Sequence, residues 1–214
     1  MNEMSNIMKF TTIFLLILLP VLVQSQMTIG FKSGVALSKQ KYEVFRDPLD
    51  LSNRLVGIEA GVMLNWFFQR SFFLQPELTF IQKGGAYPDG TNKVNHLEAA
   101  ALLGFERKCE PLSVFLNSGV FLDRVVNVIN DESGPLPPFP PNEFENNWGW
   151  GLLQSGGAAF NVGKGWIGLE GRYRYSLNYF RDIDGNDIND EPGPVLKLRN
   201  KGWSFNLTYK IEIR

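Results

Sequence analysis

The sequence contains one cysteine, Cys109, and one histidine, His96. The first excludes an internal disulfide. The second leaves a single imidazole for acid–base chemistry, and no nucleophile with an oriented base accompanies it. Neither sign of charge is in excess, with 21 Lys and Arg against 22 Asp and Glu, so no polyanionic partner is implied. There is no glycine-rich phosphate loop and no basic patch for nucleic acid. Nor is the chain hydrophobic on average: its mean hydropathy is -0.11. That value does not exclude a membrane barrel, in which lipid-facing and lumen-facing residues alternate and cancel within any window.

Against these shortages stand 21 glycines and 28 aromatic residues, counted as 17 Phe, 6 Tyr and 5 Trp. The 214 residues have room for one domain of moderate size. Residues Phe10–Val23 form a nearly unbroken apolar run after Lys9, followed by V-Q-S-Q with Val23 and Ser25 at the small-residue positions before a cut. This pattern predicts a secretory signal peptide over 1–25, cleaved after Ser25. The run is shorter than the ~20 residues of a spanning helix, and no cysteine follows it to carry a lipid. Glu3 offsets Lys9 if Met1 is the start; Met8 is the alternative start.

From residue 26 the dominant signal is a two-residue period, which places alternate side chains on opposite faces of an extended strand. The last stretch, Gly202–Ile213, carries it most clearly. Trp203, Phe205, Leu207, Tyr209, Ile211 and Ile213 alternate with Ser204, Asn206, Thr208, Lys210 and Glu212. The same alternation predicts strands at Met27–Ser38, Leu55–Phe68, Phe72–Lys83, Asn95–Arg107, Leu112–Val125, Trp148–Asn161 and Gly165–Asn178. Pro76 cannot donate to a ladder, so a bulge or local irregularity is expected there. Asn95–Arg107 is rich in alanine and could form a helix, but its strict alternation favours a strand.

The last stretch is about as long as the 9–11 residues that cross a bilayer with tilt. The connections run long and short in alternation. Long ones lie at 39–54, at the turn-rich segment from Gly84, at 126–147 and at 179–199; short ones lie at 69–71, 108–111 and 162–164. Short periplasmic turns and long extracellular loops are the habit of outer-membrane barrels. The expected fold is therefore all-β: an eight-stranded antiparallel up-and-down transmembrane β-barrel over 26–214, following the cleaved signal peptide. A terminal strand with a lipid face needs a partner, and the first strand supplies it. Aromatic residues mark two girdles. Trp66, Phe68, Phe72, Phe105, Phe160 and Trp166 lie at the turn ends, and Phe80, Trp148, Trp150, Tyr175 and Trp203 at the loop ends.

The polar face collects Lys32, Glu59, Glu77, Glu98, Glu170, Arg172, Arg174, Lys210 and Glu212. Eight strands enclose little more than the volume of their own side chains, so opposite charges brought inside would neutralise one another. The candidate site is thus a plugged, ion-paired lumen built from Lys32, Glu59, Glu77, Glu98, Glu170, Arg172, Arg174 and Lys210. The alternation leaves a second arrangement open, a secreted soluble carrier of lipocalin type with apolar residues inside and charges outside. The acidic run 182–191 has oxygen-bearing residues at calcium-loop positions one, three and five. It lacks the glycine at six, where Asp187 stands, and the glutamate at twelve, where Gly193 stands. It reads as a solvated loop, with weak cation binding the alternative.

Short motifs extend this reading. G-F-K-S-G-V-A-L-S at 30–38, L-Q-P-E-L-T-F-I-Q-K-G-G at 74–85 and L-E-A-A-A-L-L-G-F at 97–105 are followed by V-F-L-N-S-G-V-F-L at 114–122 and L-E-G-R-Y-R-Y-S-L at 169–177. In that order they resemble the PorT-like outer membrane β-barrel family of Bacteroidetes-type bacteria. Ala99 and Ala100 stand at the isoleucine–proline positions of the family's L-E-I-P-L-L-L pattern, and the chain runs past Tyr209 and Lys210 to Arg214 without a terminal aromatic. The resemblance implies a small, non-enzymatic outer membrane barrel without cofactor or metal. Its partners would be outer membrane lipid and an extracellular or secretion-machinery protein.

Overall fold

The computed structural model describes residues 26–44, 47–49, 53–87, 90–130, 148–178, 181–187 and 191–213. The expected signal peptide over 1–25 lies outside them, as does 131–147. The described residues hold ten strands and no helix: β1 (Gln26–Val44), β2 (Asp47–Leu49), β3 (Asn53–Phe67), β4 (Phe72–Tyr87), β5 (Gly90–Cys109), β6 (Leu112–Asn130), β7 (Trp148–Val162), β8 (Gly165–Ser176), β9 (Arg181–Asp187) and β10 (Glu191–Ile213).

Eight of these strands form the wall. Each pairs antiparallel with the next in sequence, and β1 pairs with β10 from Met27–Ile213 to Val44–Leu196, which closes the barrel. The short strands β2 and β9 pair only with the outer ends of β1 and β10. Closure gives every wall strand a partner on both sides, which is what allows a sheet to sit in hydrocarbon. The helical alternative for Asn95–Arg107 is excluded, since that segment is the middle of β5 and pairs on both sides.

The connections differ from the expectation. β1, β5, β6 and β10 have 19, 20, 19 and 23 residues, about twice what a tilted membrane strand needs. Most of 39–54 and 179–199 and the segment from Gly84 are therefore strand, not loop. The physical reason is that a hairpin continues wherever backbone groups can pair. Side-chain alternation fades at the membrane edge, where both faces meet water. Pro76 brings the expected local irregularity, though no bulge: pairing between β3 and β4 lapses between Met63–Glu77 and Trp66–Leu74 with the register unchanged, and the one register shift of that pair of strands lies higher, between Arg54 and Glu59.

The alternation sorts as a membrane barrel requires. Phe31, Val35, Ile58, Leu103, Leu116, Leu169, Phe205 and Leu207 point outward and are exposed, whereas Lys32, Glu59, Glu77, Glu98, Arg172 and Arg174 point inward and are buried. This is the inverse of a ligand carrier and rules out the lipocalin-type arrangement. Phe68, Phe72, Phe105 and Phe160 at the turn ends and Trp148, Trp150 and Trp203 at the loop ends are exposed on the outer face. Trp166 is a correction: it is buried inside the barrel. Its neighbour Ile167 takes the outward position, and the period of two then places Trp166 in the lumen.

Candidate functional site: the ion-paired lumen

β8 carries the centre of the lumen. Glu170, Arg172 and Arg174 stand two residues apart and so share the inward face. The Arg172 guanidinium donates to both carboxylate oxygens of Glu77 on β4, at 2.6 and 2.5 Å. Its Nε lies 2.8 Å from Glu170. Ser155 Oγ donates to Glu170 at 2.7 Å and lies against the Asn117 amide, and Asn117 donates to Gln75 at 3.2 Å. Gln75 in turn donates to Glu77.

One step along β8, Arg174 forms a second centre. It grips Glu59 on β3 with both terminal nitrogens, at 2.7 and 3.0 Å, and directs Nε at Glu98 on β5, at 2.9 Å. Ser204 on β10 accepts a further bond at 2.8 Å. Lys32 on β1 links the two centres, with Nζ 2.6 Å from Glu77 and 3.4 Å from Glu59. The planar fork of arginine suits such two-oxygen contacts. Bidentate charge-assisted bonds of this kind fix geometry as well as adding energy.

The structure thus brings together Lys32, Glu59, Glu77, Glu98, Glu170, Arg172 and Arg174. It does not bring in Lys210, which is buried 4.2 Å above the ring of Phe115, with no carboxylate among the described residues within ion-pair distance. Glu212 lies beyond the network, half-exposed at the turn end and paired with Lys108 at 2.8 Å. The sequence reading missed Lys83 and Asp123, which are joined to each other, with Lys83 also 3.2 Å from Glu98 and His96 3.3 Å from Asp123. Their strand parity was available as a signal. Lys83 stands six residues from Glu77 and Asp123 six from Asn117, on the same inward faces.

Below the charges, the turn end is closed by rings. Phe67 and Phe73 pack at 5.2 Å, Lys108 lies over Phe67 and Trp166 at 5.6 and 5.4 Å, and Phe115 carries Lys210. Glycines on neighbouring strands make the space. A Cβ at Gly104 would lie 2.1 Å from the Phe73 ring, and one at Gly157 would lie 2.8 Å from the Phe115 ring. Beside Arg174 at the other end, a cavity of about 20 Å³ lies between Ser38, Ile81, Lys83 and Ser176. That is about one water position. The arrangement orders charge, and no group of three or more His, Cys, Asp or Glu among the described residues is placed to hold a metal.

No protein-family model and no curated protein matches the chain. Among solved structures it is similar to the outer membrane protein OprG of Pseudomonas aeruginosa, with 9% identity and a TM-score of 0.60 over 88% of this chain and 96% of that one. It is also similar to Neisserial surface protein A, with 12% identity and a TM-score of 0.46 over 86% and 97%, and to the N-terminal barrel of Pseudomonas aeruginosa OprF, with 10% identity and a TM-score of 0.45 over 89% and 100%. At these identities the likeness is one of fold alone. A closed single-chain antiparallel barrel of eight strands, with apolar residues outward and ion pairs inward, defines the class: a small integral β-barrel of the outer membrane.

Proposed function

We propose that this barrel is a non-enzymatic scaffold of the outer membrane whose lumen is permanently closed. It acts through the connections at its long-loop end, by binding an extracellular or secretion-machinery protein or by supporting the envelope. The observation that carries this reading is the interlocked network around Arg172 and Arg174, which leaves both side chains fully or almost fully buried. A conducting pore needs water where these groups lie. Moving them apart would strand charges in a low-dielectric interior. The PorT-like resemblance of the strand motifs supports membership of that family, and the run at 1–25 supports a leader removed after Ser25. The turns and both ends of the barrel wall, Gln26 and Ile213, share one end, which we assign to the periplasm.

Planar-bilayer recording on the refolded protein tests the closed lumen. The expected result is a silent membrane. Steady ion-selective openings of hundreds of picosiemens, an order-of-magnitude threshold well above any leak through a lumen filled by side chains, would replace the scaffold with a porin.

A further inference from the structure

The outer surface carries a feature that a closed scaffold does not use. On the lipid-facing side, at the long-loop end, a pocket of about 240 Å³ is lined by Leu37, Lys39, Arg54, Tyr173, Lys201, Gly202 and Trp203. Three adjacent strands supply its cations. Lys39 on β1 pairs in register with Lys201 on β10, and Arg54 on β3 sits one residue beyond the Ser38–Leu55 pair. These residues continue the outward rows of Leu37, Val56 and Trp203, so their side chains emerge where the apolar belt ends. Directly beneath them Tyr173 and Trp203 pack ring against ring at 4.9 Å. None of the described lining residues is acidic.

This order, from apolar belt through aromatic ledge to cations, reproduces the layering of a lipid monolayer from acyl chain through glycerol or sugar to phosphate. Interfacial Trp and Tyr settle at headgroup level. Arg meets phosphate oxygens in a bidentate fork, and Lys adds point charge. The same outward rim continues with Lys93 on β5 and with Arg124, which lies 5.5 Å from the Trp148 ring. Among the residues whose side chains are described, the carboxylates Glu98 and Asp123 near this height are turned into the lumen.

We propose that the pocket binds the phosphate headgroup of an outer-leaflet lipid. Arg54 and Lys201 hold the phosphate, and Tyr173 and Trp203 support the sugar or glycerol beneath it. The site rests on the orientation assigned above only for its leaflet. Binding measured in detergent is independent of orientation, so a failure of one is distinguishable from a failure of the other.

The test uses the full mature chain refolded in detergent, with diphosphoryl lipid A as the probe and native mass spectrometry to count retained lipid. The parent should bind saturably. An Arg54→Gln, Lys201→Gln double variant should need about thirtyfold more lipid for half-occupancy, from two cations at roughly 1 kcal/mol each. Both positions are on the rim, and unchanged heat-modifiable gel mobility shows that the variant is folded. Lipid stripped of its phosphates should bind the parent as weakly as intact lipid binds the variant, and millimolar inorganic phosphate should not displace the intact lipid. Lys164→Gln, at the opposite end, should leave occupancy unchanged. Equal affinity of parent and double variant, tight binding of the stripped lipid, displacement by free phosphate, or an equal loss in the Lys164 variant would each overturn the proposal.

Discussion

A single guanidinium decides much of the interior. Arg172 is completely buried against Glu77 and Glu170, so truncating it leaves two carboxylates short of a partner in a low-dielectric space. Arg172→Ala should cost about 3–5 kcal/mol in reversible unfolding from lipid vesicles. Adding Glu77→Gln should return part of that loss, because one stranded charge is then gone; a fully additive loss would show that the pair is not coupled. Gly104 is a second decisive residue, for lack of a side chain. An added Cβ would lie 2.1 Å from Phe73, itself fully buried. Gly104→Ala should destabilise by roughly 1–3 kcal/mol through overpacking, and Phe73→Leu in the same chain should relieve it. Without that relief in the double variant, the Phe73 ring is not the obstacle.

Strands are the scale at which the sequence reads most directly. On β10, Leu207 is 58% exposed on the outer face near the middle of the bilayer span and Trp203 is 52% exposed at its edge. Leu207→Arg should therefore cost roughly 2–4 kcal/mol and Trp203→Arg about 0–1 kcal/mol, following membrane depth. Equal costs in the same vesicle assay would mean that this surface does not face lipid. The core of every wall strand was legible because a buried face and a lipid face alternate with period two. The outer parts of β1, β5, β6 and β10 were not legible. There the backbone ladder continues without a side-chain pattern, as at Lys41–Arg199 and Gly84–Lys93.

For the whole molecule, the wall ends fix what can be asked of the membrane. With Cys109, which is exposed, replaced by serine, a cysteine at Asn186 should react with an impermeant thiol reagent on intact cells. Cysteines at Gln69 and Lys164 should stay unlabelled until the outer membrane is opened. Labelling confined to the turns would turn the barrel over. Closure also makes the ion-pair network a property of the whole. Glu77 and Arg172 are 95 residues apart in sequence and meet only because β1 and β10 complete the ring.

The sequence alone determined that the chain is a barrel of eight wall strands, because alternation, strand length and turn spacing are local quantities. It also determined which of the charges it singled out share a strand face, since parity along a strand is local too; that this face is the inner one was decided by the closed barrel. Partner choice among those charges was left to the tertiary structure. It joined Arg174 to Glu59 and Glu98, brought in Lys83, Asp123 and His96, and placed Lys210 over Phe115 with no carboxylate among the described residues at ion-pair distance. It also set Lys108 over the rings of Phe67 and Trp166. The reason is physical. Facing across a lumen depends on strand register and barrel closure, which sum over every hairpin in the ring, and no single stretch of sequence carries that sum.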